Sequence, residues 1–329
     1  MGLIAEFNGV DIEQSRDTIA VNCSSYIGRL LRAHGWNHHE KSHRDAKPQP
    51  MPTECLPALY KEVGPAEGTV EHSELTNKSG FSYRTLLGEL MYAYVTCRPD
   101  IGYAVTTLSK FSSAPAAIHY ATLKGVAIYL RCTIDWGLIY HRPSPDTTLP
   151  PRTDSPIAAD EALPDFPCPS TPLTLSCYVD AAHANDLRNR RSTTGYAFML
   201  SGAAISYRVK TQSVTATSST EAEFIAAVLA AKHAKYLRSI MRELGFPQRD
   251  PTPIYDDNKS AILMINSRVP TERSRHIDIQ HFAIQDWKEA GDIEMFHIPG
   301  IINPSDDLTK PLGWVLHGRH SRRLMGHYT

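Results

Sequence analysis

A chain of 329 residues has the length of two domains of ordinary size. Its 42% hydrophobic and 21% charged residues are typical of a globular protein, and no apolar run reaches the roughly 18 residues that a membrane-spanning helix needs. The 34 basic and 35 acidic residues give a formal charge of −1, which excludes nucleic-acid binding through bulk charge but not through a local basic surface.

The placement of proline predicts how the chain is divided. Residues 143–172 contain 9 of the 23 prolines, with polar residues between them, so this segment is predicted to be a flexible linker. The linker separates residues 1–142 from a C-terminal globular domain at 173–329. Within the first part, residues 38–80 are also rich in proline and charge, which predicts a long and mostly irregular connection.

The first part is predicted to be helical after residue 80. Apolar residues recur at helical spacing from Leu86 to Tyr94, and Pro99 suits the first turn of a second helix. A third helix is predicted over 116–133, and residues 138–140 favour a short strand.

The C-terminal domain begins with alternating apolar and polar residues over 173–180, which predicts a half-buried strand. Ser201 and Gly202 separate two further apolar segments and indicate a hairpin turn. The remaining pattern predicts, in order, a helix at 219–244, a strand at 253–256, helices at 258–266 and 274–290, a strand at 294–298 and a helix near 304–312. This order predicts an α/β fold, with a mixed sheet flanked by helices and an antiparallel meander at its start.

Acidic residues occur where these predicted strands end and helices begin. They are Asp180, Glu221, Glu223, Asp256, Asp257, Asp306 and Asp307. Ligands bind at strand ends in open α/β sheets, and carboxylates that converge there repel one another unless a divalent cation binds them. Oxygen ligands favour Mg²⁺ or Mn²⁺, and two such ions support phosphodiester hydrolysis. A local interpretation competes, because Glu221, Glu223 and Asp257 could each cap a helix or complement its dipole.

A series of sequence blocks follows in the same domain. The blocks are YVDAAHAND at 178–186, RRSTTGY at 190–196, SSTEAEFIAA at 218–227, DNKSAI at 257–262, RHIDIQHF at 275–282 and NPSDDLTK at 303–310. In this order they resemble the ribonuclease H domain of copia-type retrotransposon polyproteins. Upstream, YRTLLGELMY at 83–92 and TCRPDI at 96–101 resemble the final, thumb-like helices of the reverse transcriptase of these elements, and FNGVDI at 7–12 resembles the block after its catalytic hairpin.

The resemblance implies a ribonuclease H-like fold at 173–329 and, at 1–142, the palm end and thumb-like helices of a truncated reverse transcriptase. It also implies a set of four catalytic, metal-binding carboxylates, which correspond to Asp180, Glu223, Asp257 and Asp306, with Glu221 as the alternative to Glu223. The expected cofactors are two Mg²⁺ ions, which Mn²⁺ could replace. The expected reaction is endonucleolytic cleavage of the RNA strand of an RNA–DNA hybrid.

Basic residues near Asp180 are the candidates for contacts with nucleic-acid phosphates. They are Arg188, Arg190, Arg191, Arg208 and Lys210. A solvated basic surface without a ligand is the competing interpretation. The remaining domains of the polyprotein are expected as further partners.

Three further expectations concern the activity and location of the chain. Neither the Tyr-x-Asp-Asp pattern of a polymerase nor an upstream catalytic Asp occurs before residue 80, so DNA synthesis by this chain is not expected. The alternative to an active nuclease is a catalytically inert or nucleic-acid-binding remnant of such an element. Six cysteines without a C-x-x-C pair, and no secretion signal, predict an intracellular protein of the cytoplasm or nucleus without a membrane partner.

Overall fold

The computed structural model describes residues 4–37, 49–142, 173–267 and 278–327. The chain forms two compact units, one built from Met1–Tyr140 together with Lys310–His327 and the other from His141–Thr309. The predicted linker at 143–172 lies outside the described residues. In the described parts of the chain, no helix is both long and apolar enough to cross a membrane.

A four-stranded sheet and a group of helices make up the first unit. Its strands are adjacent in the order β1 (Glu6–Phe7), β2 (Val10–Gln14), β3 (Thr18–Asn22) and β4 (Gly137–His141). Its helices up to this point are α1 (Ser24–Ala33), α2 (Leu56–Lys61), α3 (Val70–Ser79), α4 (Tyr83–Thr96), α5 (Gly102–Ser109) and α6 (Ala117–Cys132). The predicted helical period is confirmed in α4, which buries Leu86, Leu87 and Leu90. Pro99 begins a 3-10 turn that leads into α5.

The irregular connection predicted at 38–80 is wrong for the residues of this segment that the structure describes, because α2 and α3 both lie in it. No side chain of α3 is buried, so the helix leaves no apolar period in the sequence. A local cap stabilises its first turn instead: Thr69 accepts a hydrogen bond from the backbone N–H of His72 at 3.2 Å.

A five-stranded mixed sheet forms the second unit. Its strands are β5 (Ser176–Ala182), β6 (Thr193–Leu200), β7 (Ala203–Thr211), β8 (Thr252–Asp256) and β9 (Ile293–His297). They lie in the order β7-β6-β5-β8-β9. The first three strands pair antiparallel, whereas β8 pairs parallel with both β5 and β9. The meander and the mixed sheet predicted from the sequence are therefore confirmed.

Three helices contact this sheet: α7 (Ser219–Glu243), α8 (Lys259–Asn266) and α9 (Asp278–Glu289). An alanine-rich face of α7 packs on β5 and β6, against the buried side chains of Leu175, Cys177 and Val179 that alternation predicts. The predicted hairpin turn between β6 and β7 is also confirmed. Ser201 and Gly202 both have positive φ, of 51° and 93°, which is the left-handed conformation of a two-residue hairpin turn.

The C-terminal segment differs from the prediction. A 3-10 turn at Pro304–Leu308 replaces the helix predicted near 304–312, and a further helix, α10 (Trp314–Met325), follows. α10 packs within the first unit, where the His317 ring lies 3.0 Å from the Tyr129 hydroxyl. His327 contacts the Gly137 carbonyl at 2.7 Å. Residues 310–327 therefore group with the first unit, although the sequence-based boundary placed them in the C-terminal domain.

Candidate active site

Asp180 and Asp257 come from neighbouring parallel strands. In the register of β5 and β8, Tyr178 lies opposite Tyr255, and their rings stack with centroids 5.0 Å apart. Asp180 lies two residues beyond Tyr178, and Asp257 lies two residues beyond Tyr255, directly after β8. Equal offsets from one register pair bring the two carboxylates to the same end of the parallel pair, where α/β sheets bind their ligands.

The start of α7 distinguishes the two candidate glutamates. Ser218 caps the helix by accepting a hydrogen bond from the Glu221 backbone N–H at 3.1 Å. The Glu221 carboxylate turns back and accepts hydrogen bonds from the backbone N–H and the hydroxyl of Thr217, at 2.7 and 2.5 Å. Glu221 thus stabilises the helix N-terminus, much as a capping-box acid does. Glu223 lies two residues farther along the helix, and one of its carboxylate oxygens lies near Asp180 and Asp257.

Three of the four carboxylates predicted as ligands converge. One oxygen from each of Asp180, Glu223 and Asp257 lies within 4.8 Å of the others, and the first two residues are buried. At a separation of 4.8 Å or less, each pair of charges repels by at least about 3.5 kcal/mol with an effective dielectric constant of about 20. Oxygens bound to one Mg²⁺ lie at most about 4.2 Å apart, so small side-chain adjustments would let the three bind a shared ion. The all-oxygen donor set and its spacing therefore fit a divalent cation.

Asp306, the fourth predicted ligand, is not a member of this group of three. It lies in the 3-10 turn at Pro304–Leu308, and its backbone carbonyl accepts a hydrogen bond from the backbone N–H of Thr309 at 3.2 Å. The next residue, Asp307, is buried. Asp306 lies three residues before Thr309, whose hydroxyl contacts Asp180.

Asp256, which precedes the ligand candidate Asp257, is completely buried. Its Oδ1 accepts a hydrogen bond from the Asn258 backbone N–H at 2.7 Å, and its Oδ2 has no hydrogen-bond partner among the described residues. Burial raises the pKa of Asp256 to about 8, and the charges of Asp257 and Asp180 add to this rise against the opposing effect of the Asn258 hydrogen bond. At neutral pH this carboxyl group is therefore mostly protonated in the metal-free protein.

The raised pKa predicts how Asp256→Asn changes the pH dependence of stability. The folded state keeps the Asp256 proton up to about pH 8, whereas the unfolded state releases it near pH 4. The stability that protonated Asp256 contributes is therefore fully present below about pH 4 and is lost as the pH rises through about 8. Between pH 6 and pH 8 the wild type should lose about 2 kcal/mol relative to Asp256→Asn, a neutral substitute of the same shape. Urea denaturation of both proteins in EDTA measures this difference; parallel curves for the two proteins would contradict the prediction.

Two residues that were not predicted to belong to the site contact β5, the strand that carries Asp180. The Thr309 hydroxyl donates a hydrogen bond to Oδ2 of Asp180, and the Asn303 side chain donates one to the Val179 carbonyl at 2.9 Å. Both residues belong to the NPSDDLTK block, so the block itself was the available signal. Their partners could not be inferred from the sequence, because they lie more than 120 residues away.

The five basic residues predicted to contact nucleic acid are all exposed. Arg188, Arg190 and Arg191 lie in the turn between β5 and β6, whereas Arg208 and Lys210 lie on the edge strand β7.

Buried Asp186 organises the turn between β5 and β6. Its carboxylate accepts a hydrogen bond from the Arg188 backbone N–H at 3.0 Å, and its carbonyl accepts one from the Arg190 backbone N–H at 2.7 Å. Arg190 has a φ of 57°, an uncommon value for a residue with a side chain.

The chain is similar in sequence to known proteins, although no protein-family model matches it. It is 33% identical over 312 residues, 94% of its length, to the retrovirus-related Pol polyprotein of transposon TNT 1-94 from Nicotiana tabacum. It is 30% identical over 242 residues, 74% of its length, to that of transposon RE2 from Arabidopsis thaliana. The matches cover 20% and 15% of these polyproteins, so the chain spans a fifth or less of their length.

Among solved structures, LC11-RNase H1 isolated from compost is similar to part of the chain. The identity is 14% and the TM-score 0.32, with 41% of this chain and 92% of that protein covered. A complex of LC11-RNase H1 with an RNA/DNA hybrid matches at 13% identity and the same TM-score. The second unit has the mixed sheet flanked by helices that was predicted as ribonuclease H-like, with β5, β6 and β7 as its antiparallel meander.

The similarity to Pol polyproteins extends over 94% of the chain and thus includes residues of both units. It agrees with the sequence blocks of the C-terminal part and with those upstream of residue 102. The chain belongs to the family of retrovirus-related Pol polyproteins of copia-type transposons and matches a segment of them.

Proposed function

We propose that the second unit is a metal-dependent endonuclease that cleaves the RNA strand of RNA–DNA hybrids, as part of a retrotransposon Pol polyprotein. The convergence of Asp180, Glu223 and Asp257 is the observation that carries the proposal. An inert remnant, the alternative from the sequence, is not favoured. Holding three carboxylates together is costly unless a cation binds, and a remnant gains nothing from keeping that arrangement.

Each residue of the proposed site has a distinct position. When bound, two Mg²⁺ ions, or Mn²⁺ in their place, supply an activated water and neutralise the charge on the leaving 3′-oxygen. Asp180 and Asp257 approach from two adjacent strands, and Glu223 approaches from the helix that packs across them. Asp306 is proposed as the fourth ligand from the family resemblance, and it lies in the short 3-10 turn that directly precedes Thr309, whose hydroxyl contacts Asp180.

The exposed arginines suit the proposed substrate. Arg188, Arg190 and Arg191 extend from a turn that begins soon after the strand carrying Asp180, and Arg208 and Lys210 lie on the edge strand. Guanidinium groups bind phosphates without reading the sequence, which suits a nuclease that acts on hybrids of any sequence. We therefore propose that these five residues bind the hybrid backbone.

The first unit is proposed to be the C-terminal part of a reverse transcriptase, with its palm end and thumb-like helices. The upstream sequence blocks and the similarity of most of the chain to Pol polyproteins support this assignment. Other segments of a Pol polyprotein are proposed as partners, because the chain matches a fifth or less of the length of its relatives.

The proposal is tested with the purified chain and an RNA–DNA hybrid labelled at the 5′ end of the RNA. We expect internal cuts in the RNA strand in the presence of Mg²⁺ or Mn²⁺ and none in EDTA. Single-stranded RNA and DNA duplexes of the same sequence should remain intact. A folded protein that leaves the hybrid uncut in both metals would refute the proposal.

The turn between β5 and β6 that carries Arg188, Arg190 and Arg191 is named the arginine turn. Neutralising its three arginines should weaken hybrid binding. The triple variant Arg188→Ala, Arg190→Ala and Arg191→Ala loses three phosphate contacts. The negative slope of log affinity against log salt concentration should therefore become shallower by about 2–3. A matched control removes three exposed charges from α7 and the segment after it: Lys232→Ala, Arg242→Ala and Arg249→Ala. Fluorescence anisotropy in Ca²⁺ at several salt concentrations measures both slopes. Equal slopes would show that the turn does not contact phosphates.

A further inference from the structure

The hydroxyl of Thr309 contacts a carboxylate of the proposed metal site. Thr309 is fully buried, and its hydroxyl donates a hydrogen bond to Oδ2 of Asp180. The resemblance to ribonucleases H assigns ligands but gives no role to this threonine. The contact involves the same carboxylate that lies near Glu223 and Asp257.

Hydrogen bonds hold the segment that carries Thr309 at both of its ends. At the start, the Asn303 side chain donates to the Val179 carbonyl at 2.9 Å and accepts from the Ser305 backbone N–H at 3.1 Å. At the end, the Asn185 side chain donates to the Thr309 carbonyl at 3.1 Å. The segment is thereby attached to β5 and to the turn that follows it, on either side of Asp180.

Gly195 allows this segment to approach the sheet closely. In the antiparallel pairing of β5 and β6, Gly195 lies directly opposite Asp180. A Cβ atom at this position would lie 2.7 Å from the Leu308 Cβ and 2.7 Å from the Thr309 Cγ2, closer than carbon atoms can approach. Only glycine therefore leaves room for Thr309 next to the carboxylate.

Asn185 also connects Thr309 to the proposed hybrid-binding turn. While it donates to the Thr309 carbonyl, its side-chain oxygen accepts a hydrogen bond from the Thr193 hydroxyl at 2.8 Å. Asn185 directly precedes Asp186, the residue that organises the arginine turn. Two hydrogen bonds, from Asn185 to Thr309 and from Thr309 to Asp180, thus link the residue that precedes Asp186 to the Asp180 carboxylate.

We propose that Thr309 is a positioning residue of the metal site, which holds the Asp180 carboxylate in the orientation that a bound cation requires. This inference rests on the proposed metal-dependent nuclease. Hydrogen bonds to a ligand from outside the coordination shell orient it, and their loss weakens metal binding about 10- to 100-fold in other metal sites. The segment around Thr309 is attached at both ends and packed against Gly195, so it suits this role.

The test compares Thr309→Val and Thr309→Ala with Thr309→Ser. The first two remove the hydroxyl, with and without a branched side chain, whereas serine keeps it. Mn²⁺ binding measured by calorimetry should weaken about 10- to 100-fold in Thr309→Val and Thr309→Ala, and by less than about threefold in Thr309→Ser. Melting temperatures in EDTA identify any variant that does not fold; two hydroxyl-free variants are used so that one folded protein suffices.

The outcomes separate this inference from the proposed function. A wild type that binds Mn²⁺ and cuts the hybrid, together with a folded Thr309→Val or Thr309→Ala that binds Mn²⁺ equally well, would overturn the role of Thr309 alone. The same holds if Thr309→Ser loses as much affinity as the hydroxyl-free variants. A folded wild type that neither binds Mn²⁺ nor cuts the hybrid would overturn the proposed function and this inference with it.

Discussion

Glu223→Gln is expected to abolish hybrid cleavage, with a loss of at least about 1000-fold, while Glu221→Gln retains most of the activity. Removing one anionic ligand costs several kcal/mol of transition-state stabilisation, and each 1.36 kcal/mol corresponds to tenfold in rate. Glu223 supplies an oxygen to the group formed with Asp180 and Asp257, whereas Glu221 accepts hydrogen bonds from Thr217 at the helix N-terminus. The two substitutions are chemically identical and two residues apart, so each is the control for the other.

Stability and metal binding distinguish the two variants independently of cleavage. Glu221→Gln should lose about 0.5–1.5 kcal/mol of stability, because the helix loses a charged acceptor at its N-terminus. Glu223→Gln should instead lose Mn²⁺ affinity in calorimetry and be as stable as the wild type in EDTA, or more so, because a repulsion is removed. If only Glu221→Gln inactivated the protein, Glu221 rather than Glu223 would be the metal ligand. Full activity of both variants would show that the catalytic site lies elsewhere in the chain.

Arg98→Met is expected to destabilise the first unit by about 3–5 kcal/mol, because it leaves a buried carboxylate without its partner. Arg98 and Asp100 are fully buried and joined by three hydrogen bonds of 2.9, 3.3 and 2.7 Å. Arg98 also donates to the Thr133 carbonyl at 2.9 Å, and the Tyr129 hydroxyl donates to Asp100 at 2.8 Å. Although burial alone would raise the pKa of Asp100, the guanidinium of Arg98 holds it below its usual value.

Urea denaturation followed by tryptophan fluorescence reports on this unit, which contains three of the four tryptophans: Trp36, Trp136 and Trp314. The double variant Arg98→Met and Asp100→Leu should recover much of the loss, since it leaves no unpaired buried charge. The exposed pair Arg84–Glu67, 2.9 Å apart, is the control, and Arg84→Met should cost less than about 1 kcal/mol. A loss below 1 kcal/mol for Arg98→Met would show that water or another group compensates Asp100.

Local patterns were sufficient for most of the second unit. Alternation over Leu175, Cys177 and Val179 predicted a strand with one buried face, and Ser201-Gly202 predicted the hairpin turn that the structure contains. Period and turn chemistry are properties of neighbouring residues, so they can be read without knowing the rest of the fold. Where such a signal is missing, as in α3 with no buried side chain, the prediction failed.

The C-terminal segment shows a second limit of local patterns. The sequence predicted a helix near 304–312, but a 3-10 turn ends at Leu308 and α10 begins at Trp314. Contacts of His317 with Tyr129 and of His327 with Gly137 group α10 with the first unit. These contacts join residues about 190 positions apart, and no local pattern encodes them.

From the amino-acid sequence alone follow the α/β class, the identity of the acidic residues and the family, because each depends on residue type and short-range order. Which of these acidic side chains lie together depends on the tertiary structure. Glu221 and Glu223 are two residues apart, a rotation of about 200° around a helix, so α7 can direct only one of them toward Asp180. The packing of the alanine face of α7 on β5 and β6 brings Glu223 near Asp180, and the parallel register of β5 and β8 places Asp257 beside Asp180. Such choices arise only when distant segments pack together.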